Sequence, residues 1–176
     1  MRDKNTLEVM INEQSISEKV KEMAAEITKD YADKDLVAVI ILKGSVIFAS
    51  DLLRNVDLPL EMSFMAVSSY GDGTESSKKV NIRMDVDRPV EGRDVLIIED
   101  IVDTGITLSN LKEYFLKEKN VKSFKICSLL DKPSRRLKDI SPDYCGFSID
   151  DHFVVGYGLD VANKYRNLKN ICKIVL

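Results

Sequence analysis

No tryptophan, a single histidine and three scattered cysteines are all that this 176-residue chain offers to metal and redox chemistry. One histidine, His152, excludes multi-histidine zinc sites and leaves at most one partner for a nucleophile–histidine pair. Its polar surroundings read as an exposed loop. Cys127, Cys145 and Cys172 are odd in number and form no C-x-x-C, so they read as small buried apolar residues carrying reduced thiols. The longest apolar run, Leu36 to Leu42, is seven residues, far short of the ~20 that a membrane span needs. Met1 to Asn5 leads into no apolar signal core, and with reduced thiols this predicts a cytoplasmic protein. Basic excess is absent as well. Lys plus Arg is 26 against 29 Asp plus Glu, a net charge of −3, which argues against a general nucleic-acid binder. Charged residues at 31% and hydrophobic residues at 44% are the balance of a soluble globular protein. No linker or repeat divides the chain, so one domain over residues 1–176 is expected.

What is present is an alternation of helical and extended patterns. Ser15 and Glu18 have capping-box spacing, and Ile16, Val20, Met23, Ile27 and Tyr31 follow as one helical stripe. Leu36 to Leu42 and Val95 to Ile98 are continuous apolar runs rich in β-branched residues, the mark of strands covered on both faces of a parallel sheet. Val46 to Arg54 and Leu108 to Lys119 read as helices, and Ser123 to Leu130 as a strand. Leu60, Met62, Phe64 and Ala66 alternate, which predicts a strand with that face the more buried. Short strands are expected near Phe153 to Gly156 and Ile171 to Val175, with turns around Pro133, Pro142, Gly146 and Gly158. The whole predicts an α/β fold with a mainly parallel sheet flanked by helices. Such sheets bind ligands beyond the carboxyl ends of their strands. Three polar clusters fall there: Lys43-Gly44-Ser45, Glu99 to Thr107, and Asp131-Lys132.

The central cluster carries the chemistry. Asp103-Thr104-Gly105-Ile106-Thr107 places a glycine and two threonines where a turn enters a helix. Unpaired N–H groups at a helix start favour an anion, although an ordinary Asp or Thr cap reads the same way. Glu99 and Asp100 stand beside this turn and would repel a bare phosphate. A triphosphate cradle would use G-x-x-x-x-G-K-[ST], which is absent. A sugar 5′-phosphate resolves the conflict: the turn holds the ester while the two acids accept hydrogen bonds from the vicinal hydroxyls. Mg²⁺ would also suit these oxygens. From the residues alone, a solvated acidic loop stands beside that reading.

Residues 95–107 resemble the phosphoribosyltransferase signature: four apolar residues, two acids, two apolar residues, then a residue-Thr-Gly-x-Thr turn. Leu42-Lys-Gly-Ser45, Ser69-Tyr70, Asp131-Lys-Pro-Ser-Arg135 and Phe153-Val-Val-Gly-Tyr-Gly-Leu-Asp160, followed by Arg166, are similar in order to the hypoxanthine/guanine phosphoribosyltransferases. The resemblance implies the type I phosphoribosyltransferase fold with a small hood from terminal segments. It implies transfer of a phosphoribosyl group from phosphoribosyl pyrophosphate to a 6-oxopurine, with Mg²⁺, in a homo-oligomer (dimer or tetramer) that binds no nucleic acid and no membrane. Carried over by position, Glu99 and Asp100 hold the ribose hydroxyls, and Thr104, Gly105, Ile106 and Thr107 wrap the 5′-phosphate. Asp103 sits near purine N7 as general acid/base. Lys43 and Gly44 form the pyrophosphate loop, whose peptide bond the family can place in cis. Ser69, Tyr70 and Arg166 complete the pyrophosphate site, the first two in the polar segment Ser68 to Lys79, read as a closing lid. Ile101 and Phe153 sandwich the purine, Val154 supplies backbone contacts, Lys132 meets the 6-oxygen, and Asp160 lies at the purine and binds Mg²⁺, which Glu99 and Asp100 also face. Ser45 and Ile106 depart from residues common in relatives, Gly and Lys respectively.

These types suit the reaction. Displacing pyrophosphate from C1 builds positive charge on the sugar, by analogy with glycoside chemistry. Proton management at N7 is typically worth ~10²–10⁴ in rate. A lysine ammonium only donates, so it bonds a 6-oxo group and finds no acceptor in a 6-amino group. Xanthine shares that 6-oxo group, so a xanthine-preferring enzyme stays open. So does a non-enzymatic regulator on the same fold, although Asp103, Lys132 and the acidic balance favour the enzyme.

Overall fold

The computed structural model describes residues 6–68 and 81–175. Ser69 and Tyr70, and most of the segment read as a lid, lie outside the described residues. Six strands form the central sheet: β2 (Leu36–Leu42), β3 (Glu61–Ser68), β4 (Asn81–Met84), β5 (Asp94–Val102), β6 (Ser123–Asp131) and β7 (Tyr144–Ser148). Their order is β4-β3-β2-β5-β6-β7. Every pairing is parallel except β3 with β4. A second, antiparallel sheet is the expected hood. It joins β1 (Thr6–Ile11), which carried no clear sequence signal, to β9 (Ile171–Val175) and β8 (Val154–Val155).

Burial follows the apolar runs. Residues 36–41 of β2 and residues 94–98 of β5 are buried throughout, as two-sided strands require. One core cluster lies on the face covered by α1 (Glu13–Asp30) and α2 (Val46–Leu53). The other lies under α3 (Ile106–Glu113), which runs into a π-helical turn at Tyr114–Glu118. β2 leads into α2 and β3 on one side, whereas β5, β6 and β7 extend the other way. Strand order therefore reverses between β2 and β5, and a crevice opens beyond their carboxyl ends. No helix among the described residues is long and apolar enough to cross a membrane.

Four expectations need correction. Helix α1 starts earlier than the Ser15–Glu18 pattern suggested: Asn12 is the N-cap and its side-chain oxygen accepts from the Ser15 N–H at 2.8 Å. A capping oxygen needs only a free N–H in the first turn, and Asn serves as well as Ser. The Met62 and Phe64 face of β3 is exposed (54% and 40%), while Ser63 and Met65 point inward. Met62 and Phe64 lie beside Ala38 and Ile40 of β2, but α2 is too short to cover this flank. The segment around Gly146, read as a turn, is strand β7, where a Cβ at that glycine would stand 2.4 Å from the Leu129 carbonyl oxygen of β6. Cys127 and Cys172 are buried as expected, but Cys145, on the edge strand, is exposed.

The capping assignment is checked by substitution. Asn12→Ala costs about 1 kcal/mol in urea denaturation, whereas Ser15→Ala changes stability by no more than about 0.5 kcal/mol. The reverse ranking would restore the capping box.

Candidate active site

Strand β5 runs on through the acid pair, so Glu99, Asp100 and Ile101 are strand residues and not loop residues beyond its end. Their backbone is held by the ladder to β6, which pairs Glu99 with Ser128 and Ile101 with Leu130. The side chains reach the crevice from a rigid base. Asp100 Oδ1 accepts from the Ile101 N–H at 2.8 Å. The loop after β2 lies directly on this carboxylate. The Leu42–Lys43 peptide bond is cis, and a Cβ at Gly44 would fall 1.6 Å from Asp100 Oδ2, so a side chain there would displace the Asp100 carboxylate. Gly158 is locked similarly, with φ +103 and a Cβ position 2.0 Å from the Gly44 carbonyl oxygen. That contact brings the loop carrying Asp160 into the crevice. Asp160 Oδ1 pairs with Arg166 Nη2 at 2.6 Å, and Arg166 Nη1 donates to the Gly158 carbonyl at 2.6 Å.

Two adjoining hollows result. The larger, about 460 Å³, is lined by Gly44, Glu99, Asp100, Thr107, Asp160 and Arg166 among others. The smaller, about 100 Å³, is formed by the glycine turn and by Ile101 and Asp103, and shares Glu99 and Thr107 with the larger. Gly105 is the N-cap of α3 in the left-handed region at φ +78, and no side chain caps the helix. Thr104 Oγ1 is 3.4 Å from the Ile106 N–H, at the limit of a hydrogen bond. The ordinary Asp or Thr cap is therefore not what this turn does. Asp103 turns instead to Arg135, whose Nε donates to Oδ1 at 2.7 Å. The first turn of α3 is left with the open N–H groups that bind anions.

The larger hollow is acidic. Burial pushes the Glu99 carboxyl well above its ordinary range, with the neighbouring Asp100 adding to the effect. Burial also lifts Asp100 to about 6, against the pull of the Ile101 N–H and Arg166. Carboxylates held this way are short of positive charge or hydrogen-bond donors, which a cation or a diol would supply. No three side chains of metal-binding type converge as a cage among the described residues. Mg²⁺ does not need one, since it is held through one or two carboxylates plus substrate phosphates.

Lys132, at the end of β6, is 7% exposed and no surface lysine. Its N–H donates to the Val102 carbonyl at 2.9 Å. Its Nζ donates to the His152 carbonyl at 2.6 Å and lies 3.4 Å from Asp151 Oδ1. The adjoining residues are placed oppositely: Val154 is buried, whereas Phe153 leaves its ring 60% exposed at the rim. His152 is exposed, as expected. Lys43 is exposed too, and no hydrogen bond or ion pair engages its ammonium among the described residues. Ile106 is 42% exposed on the first turn of α3. The crevice thus gathers Gly44, Glu99, Asp100, Asp160 and Arg166 with the 103–107 turn, while Lys132, Phe153 and Val154 stand beyond the hollows.

Sequence reading missed Arg135, Arg136 and Asp151. Arg136 Nη1 donates to the Asp103 carbonyl at 2.9 Å, and its Nη2 pairs closely with Asp131. Arg135 Nη1 also reaches Asp151 Oδ2 at 3.1 Å. Two consecutive arginines, one closing a short proline-led turn after Lys132 and one just beyond it, were the available signal.

The acidity of the crevice has a measurable consequence. An acid whose pKa is higher folded than unfolded binds more protons when folded, so stability falls as pH rises between the two values. For Asp100 that window runs from 3.8 to about 6. Asp100→Asn therefore stabilises the ligand-free protein at pH 7.5, by roughly 1–2 kcal/mol after allowance for solvent relaxation. The gain disappears below pH 4. Denaturant titrations at both pH values check this, and equal stability at pH 7.5 would mean that the carboxylate is well solvated.

The family model described as the phosphoribosyl transferase domain matches residues 10–162. The chain is 54% identical over 163 residues to the hypoxanthine-guanine phosphoribosyltransferase of Bacillus subtilis (strain 168), covering 93% of this chain and 90% of that protein. It is 47% identical over 175 residues to the hypoxanthine phosphoribosyltransferase of Escherichia coli (strain K12), covering 98% of each. Among solved structures, the hypoxanthine phosphoribosyltransferase of Staphylococcus aureus superposes with a TM-score of 0.90 at 49% identity, over 96% of this chain and 91% of that one.

Proposed function

The chain belongs to the phosphoribosyl transferase family, and on that premise we propose how its crevice works. The enzyme transfers the 5-phosphoribosyl group from phosphoribosyl pyrophosphate to N9 of hypoxanthine or guanine, giving the nucleoside monophosphate and pyrophosphate. One observation carries the assignment of parts: an acid-lined hollow and a glycine-turn hollow meet at Glu99 and Thr107. A ribose 5-phosphate has a diol at one end and an ester dianion at the other, and these two hollows match it. Glu99 and Asp100 take the hydroxyls. Thr104, Gly105, Ile106 and Thr107 take the phosphate with the open N–H groups of α3.

Pyrophosphate lies on the Lys43–Gly44 loop and Arg166. The free Lys43 ammonium and the tethered Arg166 guanidinium neutralise charge as the bond to C1 breaks. Asp160, with Glu99 and Asp100 facing it, would hold Mg²⁺, which would supply further charge neutralisation on the leaving group. The purine lies between Ile101 and the exposed ring of Phe153, with Val154 lending backbone contacts and Asp160 beside it. Asp103 keeps Oδ2 clear of any donor among the described residues and takes the N7 proton as N9 attacks C1. Lys132 directs its ammonium to the 6-oxygen, and the carbonyl of His152 and Asp151 fix its aim.

The assembly expected is a homo-oligomer. The uncovered apolar face of Met62 and Phe64, continued by Met84 of β4, is the surface that suits a second copy.

A panel of purine bases with phosphoribosyl pyrophosphate, read as pyrophosphate release, tests the reading. Hypoxanthine and guanine turn over and adenine is at least 100-fold poorer, on the order expected for an unpaired buried donor. Lys132→Ala weakens use of 6-oxopurines at least tenfold while KM for phosphoribosyl pyrophosphate stays within about twofold. Equal losses on both substrates would make Lys132 structural. Chelating divalent cations abolishes turnover, and persistent activity would contradict the shared-cation role.

A further inference from the structure

Four charged side chains form a continuous chain across the purine end of the crevice. Lys132 Nζ lies 3.4 Å from Asp151 Oδ1, and Arg135 Nη1 lies 3.1 Å from Asp151 Oδ2. Arg135 Nε then lies 2.7 Å from Asp103 Oδ1. On the functional reading above, on which this inference rests, the two ends of the chain meet adjacent atoms on one edge of the same base. Lys132 meets O6, and Asp103 meets N7. The protein side chains and the base edge thus close a ring of hydrogen bonds. We propose that Arg135 is a positioning residue of the transfer reaction, holding the Asp103 carboxylate in register with the ammonium that selects the base.

The local structure supports this division of labour. Pro133 starts a single 3-10 turn, Pro133–Arg135, closed by the Arg135 N–H donating to the Lys132 carbonyl at 3.2 Å. Beyond that short turn the Arg135 guanidinium shares Asp151 with the lysine. The neighbouring arginine does a different task. Arg136 donates to the backbone carbonyl of Asp103, and the Leu137 N–H donates to the Thr104 carbonyl at 2.9 Å, so the main chain of the turn is already fixed. What remains loose is the side chain of Asp103, which is 41% exposed and whose only ion-pair partner among the described residues is Arg135. A guanidinium can serve two carboxylates at once through its rigid fork, which an ammonium on a flexible stem does less well. Arg135 occupies one oxygen of Asp103 and leaves the other for the N7 proton. Asp151 divides its oxygens in the same way, one to each cation.

Arg135 is itself 46% exposed, so its ion pairs add little to folding. Its effect belongs in the chemical step, where a small misplacement of a catalytic group is expensive. The test is steady-state transfer to hypoxanthine by the full chain carrying Arg135→Gln, Arg135→Lys, Asp151→Asn or the Gln/Asn pair. Arg135→Gln lowers kcat about 5- to 20-fold, with KM for phosphoribosyl pyrophosphate within about twofold and melting temperature within about 2 °C. Arg135→Lys recovers part of that loss. The double variant is no worse than the poorer single one, because both break the same chain. An unchanged kcat in Arg135→Gln, a loss confined to KM, or losses that multiply in the double variant would each overturn the role. Wild-type inactivity toward every 6-oxopurine would overturn the functional reading and this inference together. An active wild type with indifferent variants overturns this inference alone.

Discussion

Desolvation of two adjacent carboxylates is the constraint on which the rest of the crevice depends. Glu99 and Asp100 belong to a strand whose preceding five residues are fully buried, so their backbone cannot retreat toward solvent. The loop after β2 closes over Asp100 so tightly that a side chain at position 44 would displace its carboxylate. Gly158 in turn presses on the carbonyl of Gly44 and carries Asp160 and Arg166 into the same space. Three segments distant in sequence are thereby interlocked around one pair of acids. Charge that is costly in the empty crevice would be offset by a diol or a cation, since both interactions strengthen where water is scarce.

The glycine turn depends on a second interlock. Its main chain is gripped by Arg136 and Leu137, and its aspartate by Arg135, all from the segment that follows Lys132. The segment that follows Lys132 thus also shapes the glycine turn and holds the Asp103 side chain. This arrangement follows from strand order. β5 and β6 are adjacent and parallel, so the segments leaving their carboxyl ends emerge side by side.

Much of the fold was legible because its signals are local. Two-sided strands need unbroken apolar runs, and β2 and β5 show them. The residues 99–107 cluster stood out, but its residues alone left a solvated acidic loop open beside a ribose-phosphate site, and it was the resemblance of residues 95–107 to the phosphoribosyltransferase signature that separated the two. Other features were hidden. The apolar alternation of β3 signalled an extended strand, but not which neighbour would cover it, and α2 proved too short to reach Met62 and Phe64. β1 gave no clear signal because Val9, Met10 and Ile11 run together and break the alternation of a one-sided strand, and its pairing partner β9 lies at the far end of the chain. Arg135 stood within the 131–135 motif without a role, and Arg136 and Asp151 drew no reading, since an ion pair between residues 16 or 32 positions apart has no periodicity to betray it.

The amino-acid sequence by itself determined the class of the fold and set the acid pair beside the glycine turn in residues 99–107. Apolar periodicity and residue chemistry are properties of the chain wherever it lies. Tertiary structure alone decided that Asp100 would be roofed by Gly44, that Asp160 and Arg166 would share its hollow, and that Arg135 would tie Asp103 to Asp151. Those contacts act over a few ångströms between segments separated by tens of residues, and only the packed sheet brings them within range.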